Sequence, residues 1–320
     1  MRVLVTGGAG YVGAVVAAQL VEAGHDVVVL DDLSTGHADA VPDGTTLVSG
    51  TIQDAGKELV GVEAVLHFAA KSLVGESVAH PELYWQNNVC GTRALLDAMR
   101  AHGVGRMVFS STAATYGEPE ESPISETAPA RPTNPYGASK LAVDHMLAGE
   151  ATAYGLAATS LRYFNVAGAY GRHGERHAVE THLIPIALQV AAGVRPTLSV
   201  FGADYPTADG TCVRDYIHVA DLAAAHLLAL GAARPGDHQI YNLGNGDGFS
   251  VREVVDVVRE VTGHPVPVEM APRRAGDPPT LVASSARAQA ELDWRPQHTG
   301  RDGLTAMVRD AWTFSQAAPR

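Results

Sequence analysis

Cysteine is nearly absent from this chain: the 320 residues hold two, Cys90 and Cys212. Two thiols are too few for a disulfide framework and lack metal-ligand spacing, so a reducing compartment is expected and both read as small core or loop residues. No apolar run approaches the ~20 residues that a membrane-spanning helix needs, and a composition of 46% hydrophobic and 18% charged residues is that of a soluble protein. Met1-Arg2 leads straight into a strand pattern and a glycine turn rather than a secretory h-region, which makes the cytoplasm the expected location. Basic charge is also short, with 23 Lys and Arg against 35 Asp and Glu and a formal net charge of −12. That balance argues against a nucleic-acid partner, which would need a basic face, while an anionic small molecule could still be held by a few placed arginines. Repeats, low-complexity tracts and long charge runs are missing, and the candidate disordered piece is Gln316 to Arg320. The 14 histidines are scattered, with no H-E-x-x-H or paired-ligand arrangement, so no metal is expected.

What is present is an alternation of two periodicities. Val3 to Thr6 reads as a buried parallel strand, Ala14 to Ala23 as an apolar helix closed by Gly24, and Val27 to Leu30 as the next strand. Ala64 to Phe68, Arg106 to Ser110 and Thr159 to Phe164 continue the strands, with helices near Asn88 to Ala101 and from Tyr136. Such alternation predicts an α/β fold, a doubly wound, Rossmann-like parallel sheet with right-handed crossovers. After about Gly168 the pattern breaks into Gly-, Pro- and His-containing stretches with helical patches at Leu183 to Ala192 and Val251 to Thr262. Two units are therefore expected: residues 1–170 as a dinucleotide-binding domain and 171–320 as a smaller C-terminal substrate-binding domain. Ile217 to Leu230 and Gln239 to Leu243 look like a strand, helix and strand that return to the sheet, so 213–243 is expected to rejoin the first unit.

Gly7, Gly10 and Gly13 fall between the first strand and the first helix. Glycines at that spacing allow a tight turn, close approach of a pyrophosphate to the backbone, and packing of helix on strand, with the helix N-terminus facing the phosphates. Asp31 and Asp32 stand at the end of the second strand, where a carboxylate can accept from both hydroxyls of an adenosine ribose and repel a 2′-phosphate. NAD is thus favoured over NADP, with Asp32 either sharing the role or flanking it.

Tyr136 and Lys140 lie at i and i+4 on one helix face, a spacing that in isolation is more often a plain amphipathic surface. A phenol with a reference pKa of ~10 is a poor base near neutrality; a neighbouring ammonium and a positively charged nicotinamide would lower it. The preceding strand favours the chemical reading, because Ser110, Ser111 and Thr112 place hydroxyls at the ligand-binding edge of a parallel sheet. Turn capping is the competing role for these hydroxyls, Ser110 above all.

The glycine turn with its Ser/Thr, Tyr and Lys set resembles the extended short-chain dehydrogenases/reductases. Further segments narrow the resemblance to the UDP-glucose 4-epimerase branch: His67 to Ala70, Val74 to Ser77, Asn87 to Val89, Phe109 to Gly117, Tyr163 to Ala169, and the block from Phe201 to Pro206 through Asp209 to Val219. The resemblance covers nearly the whole chain. It implies reversible C4 epimerisation of UDP-galactose and UDP-glucose through a 4-keto intermediate, with tightly bound NAD, a UDP-sugar as partner, and a homodimer through paired helices near 89–101 and 136–154. Carried over by position, it makes Thr112, Tyr136 and Lys140 catalytic. It lines the cofactor with Tyr11, Val12, Ile52, Phe68, Ala69, Ala70, Asn87, Ser110 and Tyr163. It sets Asn165, His182, Leu183, Phe201, Arg214, Arg274, Asp277 and Leu281 against the nucleotide sugar. Guanidinium forks suit diphosphate oxygens on chemical grounds as well. The sequence departs from the family where Thr51-Ile52 replaces an adenine-recognising carboxylate, where Lys71 stands one place early, and where His182 replaces an Asn. Ala113-Ala114 occupies the place of the carboxylate pair of 4,6-dehydratases and disfavours dehydration. A non-catalytic NAD sensor is the remote alternative. A Leu at 281, where some members carry Tyr, leaves N-acetylated UDP-sugars open as substrates.

Overall fold

The structure, a computed structural model, describes residues 1–274 and 277–317. From the N-terminus, β1 (Arg2–Thr6) runs into α1 (Tyr11–Glu22), followed by β2 (Asp26–Asp31), β3 (Thr46–Ser49) and β4 (Ala64–His67). Two short helices, α2 (Val74–Ala79) and α3 (Pro81–Tyr84), lead through a π-helical turn at Trp85–Gly91 into α4 (Thr92–Ala101). Next come β5 (Arg106–Thr112), α5 (Pro135–Tyr154) and β6 (Ala157–Tyr163). Beyond them lie β7 (Asn165–Ala167), the small hairpin β8 (Ala169–Tyr170) and β9 (His173–Gly174), α6 (Leu183–Ala191), β10 (Leu198–Phe201), β11 (Val213–His218) and α7 (Val219–Ala232). The chain closes with β12 (His238–Leu243), β13 (Gly248–Ser250), α8 (Val251–Thr262), β14 (Val268–Ala271), β15 (Thr280–Leu281), α9 (Ala286–Leu292) and α10 (Gly300–Ala317).

Seven strands form one parallel sheet in the order β12-β6-β5-β4-β1-β2-β3. This is the doubly wound sheet that the alternation predicts, and its order reverses between β1 and β4, where such sheets open a crevice at their C-terminal edge. The central strands read as continuous apolar runs because both faces are covered. Val3, Val5, Val29 and Leu66 pack with Val16 and Leu20 of α1 and Leu222 and Ala225 of α7. Leu4, Val28, Val65 and Met107 pack on the other face with Leu95 and Met99 of α4 and Val143 and Leu147 of α5. A third core joins α6, α8 and α10 to β10 and β11.

Element boundaries differ from the sequence expectation where backbone partners, rather than apolar spacing, decide them. The first helix begins at Tyr11 rather than Ala14, immediately after the glycine turn, and β5 runs on through Thr112. The helix expected from Asn88 is entered by way of the wide turn at Trp85–Gly91, where the Asn88 side chain is bound on both sides of the Lys71 peptide and to Ser139. β12 pairs with β6 in the large sheet, whereas β11 pairs with β7, β13 and β15 outside it. Gln316 and Ala317, expected to be disordered, complete α10, and 318–320 lie outside the described residues. Cys90 is exposed and Cys212 buried, both as free thiols. Among the described residues no helix is long and apolar enough to cross a membrane.

Candidate active site

The glycine turn leaves no room for side chains. Gly7 has φ +73°, and a Cβ there would lie 2.5 Å from the Ala69 backbone nitrogen; one on Gly13 would lie 2.3 Å from the Gly7 carbonyl oxygen. Gly10 caps α1 without a side-chain hydrogen bond, so the positive end of the helix is left to its own amides, the arrangement that receives phosphate. This cradle of bare backbone between β1 and α1, facing Phe68 and Ala69 after β4, fits a dinucleotide pyrophosphate. The Tyr11 hydroxyl donates to the Gly168 carbonyl at 2.6 Å and so ties the turn to the end of β7.

The two candidate ribose acids are placed differently. Asp31 is buried, accepting from the Ala9 amide at 2.9 Å and the Leu33 amide at 2.8 Å. Burial raises its pKa, and those two amides oppose the rise. Asp32 is exposed and turned onto its own loop, accepting from the amide and hydroxyl of Ser34. Ile52 is buried against Gly91 in the core beneath β2 and β3. Asn87 sits in the π-helical turn and donates to the Asn88 side chain at 3.1 Å.

Tyr136 and Lys140 lie in the first turns of α5, a helix started by Asn134, whose side chain accepts from the Gly137 amide, and by Pro135 at its first position. Gly137 is required here because a Cβ would meet the Ala114 carbonyl oxygen at 2.4 Å. That close approach brings α5 onto the end of β5, where Thr112 faces the Tyr136 phenol closely enough to favour its ionised form. Lys140 is buried, donates from Nζ to the Ser110 carbonyl at 2.8 Å, and lies 4.8 Å from the Phe109 ring centroid. Burial lowers its pKa to about 7, opposed by Asp144 one turn along the helix. The lowered phenol expected for Tyr136 is not what the protein alone provides. Burial raises it, and only Thr112 pulls it down. Ser110 does not cap a turn; its hydroxyl is hydrogen-bonded to that of Tyr163. Thr112 does both jobs, since its Oγ1 also accepts from the Ala114 amide at 3.2 Å.

The residues expected around the nucleotide gather at β10, β11 and β15. The Arg274 guanidinium stacks 3.9 Å from the centroid of the Phe201 ring. Arg214 is ion-paired with Asp277 and sits beside Leu281 in the β11–β15 register. Asn165 donates to the Asp215 carbonyl at 2.9 Å, and Leu183 opens α6. His182 departs from this group: its Nδ1 lies 2.8 Å from both Glu175 and Glu180. Burial alone would lower it, but the two carboxylates outweigh that and lift it to about 10. The expectation of scattered histidines is therefore corrected, since His177 and His182 meet with Glu175 and Glu180 in one loop. Two groups that motif spacing passed over support the centre. His67 bridges Thr6 at 2.6 Å and Thr92 at 2.8 Å beneath the crevice, and burial, with Lys140 adding to it, lowers its pKa to about 3. Asp144 binds Arg162 in a buried pair at 2.7 Å.

Residues 3–244 match the model of a family described as the NAD dependent epimerase/dehydratase family. A UDP-glucose 4-epimerase of Corynebacterium glutamicum is 59% identical over 320 residues, spanning 99% of this chain and 96% of that protein. Another, from Streptomyces lividans, is 60% identical over 328 residues, with 100% and 97% covered. The crystal structure of the UDP-glucose-4-epimerase of Stenotrophomonas maltophila, with bound NAD and formylated UDP-arabinopyranose, superposes with a TM-score of 0.94 at 41% identity, covering 99% of this chain and 98% of that one.

Proposed function

The chain belongs to the NAD dependent epimerase/dehydratase family, and from that premise we propose that it interconverts UDP-galactose and UDP-glucose by reversible C4 epimerisation through a 4-keto intermediate. The observation that carries this is the convergence of Tyr136, Thr112 and Lys140 at the C-terminal end of β5, in a chain about three-fifths identical to epimerases of that name. When bound, NAD supplies the reversible removal of hydrogen from C4. Gly7, Gly10, Gly13, Tyr11, Val12, Asp31, Phe68, Ala69, Ala70 and Asn87 hold it, with Asp31 rather than the solvent-facing Asp32 meeting the ribose.

Tyr136 takes the proton of the C4 hydroxyl and later returns it, while Thr112 shares a hydrogen bond with the same oxygen. Burial penalises the Tyr136 phenolate, and the positive nicotinamide that NAD would bring to the site would favour that anion. Arg214, Arg274 and Phe201 anchor the UDP end, which leaves the sugar free to present either face. Dehydration would need an acid/base pair where Ala113 and Ala114 stand. The division of labour follows two units, 1–170 with α7 and β12 for the cofactor, and the rest of 171–320, β11 and its Arg214 included, for the nucleotide sugar. We place the protein in the cytoplasm as a homodimer paired through α4 and α5; light scattering of the purified chain distinguishes dimer from monomer. The activity is tested by incubating pure protein with UDP-galactose and no added reductant. UDP-glucose should form, and Tyr136→Phe should reduce the rate at least ~100-fold, the lower range for losing a general base. No turnover, or turnover untouched by that substitution, contradicts the proposal.

A further inference from the structure

The loop between β9 and α6 brings Glu175, His177, Glu180 and His182 together, with one candidate ligand atom from each residue and all four atoms within 4.8 Å of one another. We propose that this loop binds one divalent transition metal, zinc in the first instance, in a closed four-ligand structural site. Two imidazoles and two carboxylates match the N and O donors that tetrahedral zinc takes. The Glu175 Oε1 atom lies 2.8 Å from Nδ1 of both His177 and His182, and Glu180 Oε2 lies 3.9 Å from His177 Nδ1. Metal–ligand bonds of ~2.0–2.2 Å place tetrahedral neighbours about 3.3–3.6 Å apart, a range those separations bracket.

Hydrogen bonding accounts for only part of this cluster: His182 Nδ1 is hydrogen-bonded to Glu180 Oε1 at 2.8 Å, but His177 is left over. His177 Nδ1 is buried and, among the described residues, makes no hydrogen bond, although a carboxylate oxygen is only 2.8 Å away. The ring nitrogen converges on that oxygen without aiming a proton at it. Glu180 Oε1 already accepts from the amides of Thr181 and His182, each at 2.8 Å, which orients the carboxylate as outer-shell donors orient metal ligands. With four protein ligands no coordination position stays open, so the ion is structural rather than catalytic.

The loop also connects the two units. Arg176 grips the Asp39 carboxylate at 2.7 and 2.9 Å, and its carbonyl is 3.0 Å from His37 Nε2. Arg176 and His177 line a cleft with Ala9, Gly10 and Tyr11 of the glycine turn, and His182 directly precedes α6. A metal here fixes the start of α6 relative to the cofactor cradle.

The test uses the untagged full-length chain, freed of metal by a chelator, desalted, and titrated with zinc and with cobalt(II). One equivalent of zinc should be retained through a second desalting, and cobalt should give the intense visible bands of a tetrahedral complex. Glu175→Gln with His177→Gln should weaken zinc at least ~100-fold, while His80→Gln, at an exposed histidine outside the cluster, should bind as the parent does. No retained zinc together with octahedral cobalt spectra in the parent chain, or equal affinity in the double variant, overturns the proposal. The parent titration decides the matter even where the double variant folds poorly, and neither readout depends on epimerase activity.

Discussion

Lys140→Met should make the cofactor-free protein more stable at neutral pH while removing its activity. Lys140 is 2% exposed, and burial brings its pKa from 10.5 to about 7. At ~1.36 kcal/mol per pH unit, that fall amounts to roughly 5 kcal/mol of destabilisation when the side chain is forced to carry its charge. The sign follows from linkage: between pH 7 and 10.5 the unfolded chain binds more protons than the folded one, so stability rises with pH across that window. Below about pH 7 the penalty is complete, and above the unfolded value it disappears. Methionine fills a similar volume without charge but leaves the Ser110 carbonyl, now bound at 2.8 Å, without its donor, at a cost of ~1–3 kcal/mol. The net gain at pH 6.5 should be about 2–4 kcal/mol, and it should be gone or reversed by pH 10. Urea unfolding of parent and variant at both pH values reads this directly. A variant less stable than the parent at pH 6.5, or a difference that does not change with pH, refutes the reasoning about this buried ammonium.

Gly13→Ala places a Cβ 2.3 Å from a backbone oxygen. It should cost ~1–3 kcal/mol by overpacking and strip NAD from the purified protein, as the absorbance of released cofactor shows. Gly231→Ala, in the last turn of α7 with nothing within 4 Å of its Cβ, should instead gain up to ~1 kcal/mol. Asp31→Asn leaves one of the Ala9 and Leu33 amides facing an NH2 group, with a loss of ~1–3 kcal/mol, and calorimetric titration should find NAD weakened more than NADP; Asp32→Asn should leave both affinities nearly unchanged. Leu281→Tyr narrows the wall beside Arg214 and should lower turnover of UDP-N-acetylglucosamine by at least ~10-fold relative to UDP-glucose, within the range that a few methylenes of pocket size command.

Features set by local stereochemistry were legible in the sequence. Glycines 7 and 13 answer to contacts a few residues away or directly across the crevice, and the apolar strands and amphipathic helices answer to periodicity. Both can be read without coordinates. The wide turn at Trp85–Gly91 escaped because it is held by the Lys71 backbone and Ser139, partners that lie far along the chain. The raised Tyr136 phenol escaped for a related reason: burial is a property of the assembled core, whereas i to i+4 spacing names only a neighbour. Arg214 and Asp277 could be assigned separately by resemblance, but their ion pair depends on β11 and β15 meeting. The Glu175 to His182 cluster carried a weak signal, alternate His and Glu within eight positions, that no helical motif captures because the segment is a loop.

The central claim is that one hydrogen leaves C4 and returns to the same carbon from within a closed site. UDP-galactose carrying deuterium at C4, turned over by the purified chain in ordinary water, tests it most directly. The account predicts UDP-glucose that keeps the deuterium at C4. Product with protium at that carbon would mean exchange with solvent and would contradict it.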